Sequence, residues 1–125
     1  MHTIRTRVAL PILALAVFGG CAANPSDIRE AGLRIEVASA RSPYAAINCV
    51  TQKLEPKRTG MIAQIRQTGV KEQYEAAIRI LDDTVAVIDA APAAGAAKGS
   101  KLTVWRSPTL QGQREADFLA TAKGC

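Results

Sequence analysis

Histidine, the most versatile residue type for chemistry near neutral pH, is almost missing from this chain. His2 is the single histidine among 125 residues. Imidazole is the commonest general base and metal ligand in proteins. Beyond the amino-terminal segment, Ser-His-Asp and Cys-His nucleophiles and histidine-based zinc sites are therefore excluded. Paired carboxylates are what remains for acid–base work of the glycosidase kind. The pairs are Asp82 with Asp83, Glu72 with Glu75, and Glu115 with Asp117. Asp82 and Asp83 fall in an expected hairpin turn, where aspartate bonds its own backbone. The other four read as solvated surface, and Asp89 as a polar residue ending a strand. The stretch Gly95-Ala96-Ala97-Lys98-Gly99-Ser100-Lys101 has the composition of a phosphate loop. It lacks the glycine-to-Gly-Lys spacing, and a strand follows it instead of a helix. Nothing in the sequence implies a metal or a cofactor. Trp105, the single tryptophan, reads either as a packed aromatic or as an exposed anchor. It is the candidate binding-surface residue.

The amino-terminal segment carries the strongest signal. Arg5 and Arg7 precede an apolar run from Val8 to Phe18, which ends in Phe18-Gly19-Gly20-Cys21. A basic start, a short apolar stretch and small residues before a cut form an export signal. The run is well under the roughly twenty apolar residues a spanning helix needs, and Pro11 interrupts it. With Cys21 placed directly after the cut, the segment resembles the lipobox of bacterial lipoproteins, although Phe18 stands where that family usually has Leu or another aliphatic. The resemblance implies a diacylglycerol thioether on Cys21, removal of residues 1–20 and acylation, such as with palmitate, of the new amino terminus. It also implies the periplasmic face of the outer membrane, because Ala22 replaces the Asp that often retains lipoproteins at the inner membrane. Two or more acyl chains anchor stably, at about 0.8 kcal/mol per buried methylene. The alternative is ordinary secretion, with cleavage at a small-x-small site such as Cys21-Ala22-Ala23.

With Cys21 assigned to lipid, two cysteines remain, Cys49 and Cys125. An even count in an exported chain predicts a disulfide. It would close a loop of roughly 76 residues, worth about 4.5 kcal/mol in the chain-entropy description. A reactive-thiol role is disfavoured by the lack of a Cys-x-x-Cys spacing and of any histidine to lower a thiol pKa.

Composition narrows the partners. The formal charge of +5 falls when Arg5 and Arg7 leave with the signal. Acids and bases are interspersed and aromatics are few, so nucleic acid is not an expected partner. A weak attraction to anionic lipid, lipopolysaccharide or cell-wall polymer is compatible with the charge. After a lipidated tether at 21–32, with Pro25 and Ser26 in it, residues 33–125 form one domain of about 95 residues with a modest core.

Periodicity supplies the elements that must position these residues. Leu33 to Ser39 alternates as a half-buried strand. Ser42-Pro43 opens a helix that ends near Leu54 or Glu55, because Pro56 cannot continue it. Cys49 lies mid-helix, and Lys53, Lys57 and Arg58 gather at its carboxyl end, where they suit the macrodipole. Met61 to Gln67 is a strand. Tyr74 to Ile80 alternates, with a helix as the rival reading. Asp82-Asp83 turns into a strand from Thr84 to Ala90. Ala90 to Gly99 reads as a mobile loop. Lys101 to Arg106 alternates again, with Leu102, Val104 and Arg106 on one face and Lys101, Thr103 and Trp105 on the other. Ser107-Pro108 opens a last helix from about Thr109 to Ala122, which Gly124 caps. The expected fold is α+β: a two-layer sandwich of a small antiparallel sheet with two helices on one face, in the order β-α-β-β-β-α. The domain loosely resembles small uncharacterised proteobacterial lipoproteins with one helical and one terminal cysteine.

The expected function is that of a non-enzymatic lipoprotein. Its small periplasmic domain would serve as a binding or accessory part of an envelope assembly, with a protein or cell-wall partner. The alternative is a periplasmic hydrolase inhibitor using the Ala90 to Gly99 loop, or, less favoured because so small a sheet rarely forms a deep cleft, a small hydrolase.

Overall fold

Five strands make one antiparallel sheet in this computed structural model, which describes residues 24–54, 60–69, 71–95 and 98–125. The elements are α1 (Pro25–Glu30), β1 (Leu33–Ser39), α2 (Pro43–Leu54), β2 (Met61–Gln67), β3 (Tyr74–Ile80), β4 (Asp83–Pro92), β5 (Ser100–Arg106) and α3 (Gln113–Lys123). The spatial order is β1-β5-β4-β3-β2. Antiparallel hairpins join β2 to β5 in sequence, and the first strand returns to pair with the last.

Strand alternation divides the sheet into two faces. Ile35, Val37, Ala63, Ala76, Ile78, Ala86, Ile88, Leu102 and Val104 share the core face. There they meet α2 through Ala46, Ile47, Val50 and Leu54, a stripe at helical spacing. Ser42 caps this helix, its Oγ accepting from the Ala45 N–H at 3.4 Å, and Pro43 takes the first position as expected. Phe118, fully buried, brings α3 onto the same layer beside α2. The α+β class and the sandwich with two helices on one face are therefore as the sequence indicates.

Several details differ from expectation. The order has one strand more than β-α-β-β-β-α, because Tyr74 to Ile80 is a strand that pairs on both sides. A helix over that stretch would set Ala76 and Ile78 on opposite sides, whereas both are fully buried on one sheet face. A further helix, α1, lies within the expected tether. Asn24 and Asp27 form a reciprocal capping box at its start, and Ile28, 2% exposed, packs it against the sheet. The Ala90 to Gly99 loop is shorter than expected, since β4 runs to Pro92. Its far end is pinned at Gly99, φ +113°, where a Cβ would sit 2.3 Å from the Ser39 carbonyl oxygen. Ala96 and Ala97 lie outside the described residues. Ser107-Pro108 makes a turn and not a helix start: the Ser107 N–H donates to the Val85 carbonyl and the Leu110 N–H to that of Ser107. The helix begins at Gln113 instead. Gly124 caps it as expected, its N–H donating to Ala120. The β3–β4 turn is Leu81-Asp82, because Asp83 already pairs with Ile80.

Cys49 and Cys125 are joined, with Cα atoms 5.9 Å apart, inside the span a disulfide bridges. The bond ties mid-α2 to the residue after the α3 cap. Two further contacts hold that corner: Ser39 Oγ donates to the Cys125 carbonyl at 2.6 Å, and Lys53 Nζ approaches the Gly124 carbonyl at 3.5 Å. Lys53 thus caps the end of the other helix. Lys57 and Arg58 lie outside the described residues. No described helix is long and apolar enough to cross a membrane.

Candidate functional site

The second sheet face gathers most of the polar chemistry. Cross-strand register sets Arg66, Glu75, Asp89, Thr103 and Glu36 in one row, and Gln64, Ala77, Val87, Trp105 and Arg34 in the next. Glu75 and Asp89 are direct neighbours across β3 and β4. Two carboxylates so placed repel each other. Arg29, reaching down from α1, resolves the conflict. Its Nη2 donates to Glu75 Oε2 at 2.5 Å and to Asp89 Oδ1 at 2.6 Å, and its Nε donates to Asp89 Oδ2 at 3.2 Å. Arg66 Nε donates to the other Glu75 oxygen at 2.7 Å. Trp105 Nε1 donates to Asp89 Oδ2 at 3.0 Å. The Arg34 guanidinium stacks 5.3 Å from the centre of the indole ring and pairs with Glu36, which Lys101 also approaches.

The Glu75 side chain is only 4% exposed. Burial is the largest single influence on its pKa and pushes it up. The hydrogen bonds and charges of Arg66 and Arg29 together outweigh burial and hold it below the ordinary carboxylate value. The Arg29 pKa is raised, first by its bond to Asp89, against desolvation and with help from Glu75. A general base or acid works best with a pKa near the operating pH. Glu75 is shifted the other way, and two guanidinium groups occupy its oxygens. Glu75 is thereby favoured in its ionised form, and through Arg29 the cluster holds α1 against the sheet.

Beside the cluster, between α1 and the β2–β3 side of the sheet, lies an open groove of about 890 Å3. Asn24, Pro25 and Arg29 form one wall, and Gln64, Arg66 and Arg79 line the other side. Arg66 is 69% exposed while the carboxylate it neutralises is buried, so a guanidinium is what this end of the groove presents to solvent.

The candidate residues from sequence fall in different places. Cys49 and Cys125 are together. Trp105 is half-buried on the open face, not in the core, and its ring is sandwiched into the charge network. Cys21 lies outside the described residues. Asp82 and Asp83 are exposed at the hairpin, where the Asp82 carbonyl accepts from Arg79. Glu72 is exposed, Asp117 accepts from Gln113, and half-buried Glu115 pairs with Arg106. Two expectations are overturned. Glu75 is not solvated surface, because its strand points it under Arg29 and Arg66. Asp89 does not end a strand, because β4 continues to Pro92 and leaves it mid-strand. Arg29, Arg34 and Arg66 were not singled out by the sequence. The usable signal was Glu75 and Asp89 on alternating strands: facing carboxylates require a cation from elsewhere. Among the described residues, no group of histidine, cysteine or carboxylate side chains is arranged to hold a metal ion.

No protein-family model, curated protein or solved structure matches this chain.

Proposed function

We propose that this protein is a lipid-anchored, non-enzymatic accessory domain held by Cys21 at the periplasmic face of the outer membrane, where it binds a protein or cell-wall component of the envelope. The observation that carries the proposal is the Arg5/Arg7, Val8–Phe18, Gly19-Gly20-Cys21 arrangement, which resembles a lipoprotein signal and leaves only three residues between Cys21 and the Pro25 start of α1. Two features support the non-enzymatic part. The chain after His2 has no histidine. The buried Glu75 carboxylate and its neighbour Asp89 are held by guanidinium groups. The Cys49–Cys125 bond suits an oxidising compartment.

Mass spectrometry of the amino-terminal peptide, on protein isolated from envelopes of its native host, tests the anchor. The expected species begins at Cys21 and carries a diacylglyceryl thioether and an amide-linked acyl chain. An unmodified thiol at Cys21 removes the anchor and the location with it. Crosslinking in intact envelopes followed by affinity capture tests the accessory role. The same partner should return in repeated captures, and repeated capture of none counts against it.

A further inference from the structure

We propose that the open sheet face, with α1 lying on it, is the surface of this domain that meets the bilayer, and that lipid headgroup phosphates are its occupant. The inference rests on the anchor at Cys21 proposed above and adds an orientation to it. Only Ala22, Ala23 and Asn24 separate Cys21 from Pro25. Fully extended, the path from Cys21 to Pro25 reaches at most about 14 Å. Its end is fixed, because Asn24 caps α1 and Ile28 and Arg29 clamp α1 to the sheet. The helices α2 and α3 lie on the opposite face. Turning that layer toward the membrane would place one helix layer, the sheet and part of α1 beneath Asn24, roughly 20 Å. The tether is too short for that, whereas it brings the α1 face down without strain.

The chemistry of the face agrees with the geometry. The groove opens beside Asn24, the described residue nearest Cys21 in sequence. At its rim stands Arg66, 69% exposed, over a Glu75 that is only 4% exposed. A fork of N–H donors in that position matches a phosphate. Further along the same face Arg34 and Lys101, both about half exposed, flank the single carboxylate of Glu36 and leave an excess of positive charge.

Trp105 provides the reporter, because it is the only tryptophan in the chain and lies on this face. The full lipidated protein is reconstituted into phosphatidylethanolamine–phosphatidylglycerol vesicles carrying a nitroxide on a fraction of the headgroups. Flotation reads the anchor, and Trp105 emission reads the orientation. The expected result is flotation with strong quenching of Trp105. A second protein, with Trp105→Phe and Tyr44→Trp, moves the reporter to α2, where Tyr44 is 52% exposed. Its emission should be quenched severalfold less than that of Trp105. Flotation with unquenched Trp105, or stronger quenching from position 44, overturns the orientation and leaves the anchor standing. Failure to float, with an unmodified Cys21 mass, brings down the anchor and this inference together.

Discussion

Opening the Cys49–Cys125 bond should cost this domain a large fraction of its stability. The bond closes a loop of 76 residues, and chain entropy assigns such a closure about 4.5 kcal/mol. Total stability for a domain of this size is about 5–15 kcal/mol. The native side of the balance is favourable too, because the Cα separation of 5.9 Å needs no backbone movement. Without the bond, α3 keeps the buried Phe118, Thr121 and Ala122 and the Arg106–Glu115 pair, so the domain should still fold. Urea and thermal unfolding of wild type and of the Cys49→Ala/Cys125→Ala protein, each with and without reductant, isolate the effect. Reduced wild type and the double variant should unfold together, about 3–4.5 kcal/mol below oxidised wild type. At the usual few degrees per kcal/mol, the midpoint falls by at least about 12 °C. The double variant should ignore reductant. A loss below about 1 kcal/mol on reduction would mean instead that the unfolded chain gains almost no freedom when a loop spanning most of the domain is opened, and that the bond is not a main source of stability.

Glu75→Gln should destabilise the domain by about 1.5–3 kcal/mol at neutral pH, toward the lower end because Arg66 is largely solvated. Its pKa is held below the ordinary value of 4.5. The stabilisation it provides is thus complete above that value and lost as pH falls through the depressed folded value. Stability measured against pH should show wild type and variant converging in acid, and a constant gap would contradict the assignment. Gly99→Ala should cost at least about 1–3 kcal/mol by urea unfolding, because the backbone has positive φ there and the new methyl meets the Ser39 carbonyl; a neutral result would mean that the β1–β5 end is slack. Leu81→Gly should instead gain about 0.5–1 kcal/mol, since Leu81 sits at φ +55° with its side chain 86% exposed, and a loss of stability would show that the side chain contributes contacts.

The periodic parts of the fold were legible in the sequence, and the reason is local. Leu33 to Ser39, Met61 to Gln67 and Lys101 to Arg106 each alternate because one sheet face is covered by α2 and α3 and the other is not. Ser42-Pro43 marks the start of α2 through its own hydrogen bond. The cysteine pair followed from counting. What escaped was set by long-range contacts. The α1 helix has six residues, too short for periodicity to register, and it exists because Ile28 finds a site on a sheet built from residues far along the chain. The burial of Glu75 depends on Arg29 and Arg66, partners 46 and 9 residues away. Ser107-Pro108 has the chemistry of a helix start, but a tertiary bond from the Ser107 N–H to Val85 turns it aside.

Arg29 couples the charge balance of the sheet to the position of α1. Glu75 and Asp89 stand opposite each other on adjacent strands, an arrangement that is unfavourable in an isolated sheet. One guanidinium contacts both, and its position on α1 means that the sheet is electrostatically complete only when α1 is docked. Ile28 alone would supply roughly 1.5–3 kcal/mol of apolar burial without fixing direction. The bidentate grip on Asp89 fixes direction as well. The residue that neutralises the Glu75–Asp89 pair therefore also fixes the position of α1, the first described element of the chain. A cluster that resembles a catalytic carboxylate pair by composition acts, by geometry, as the clamp that docks α1 on the sheet.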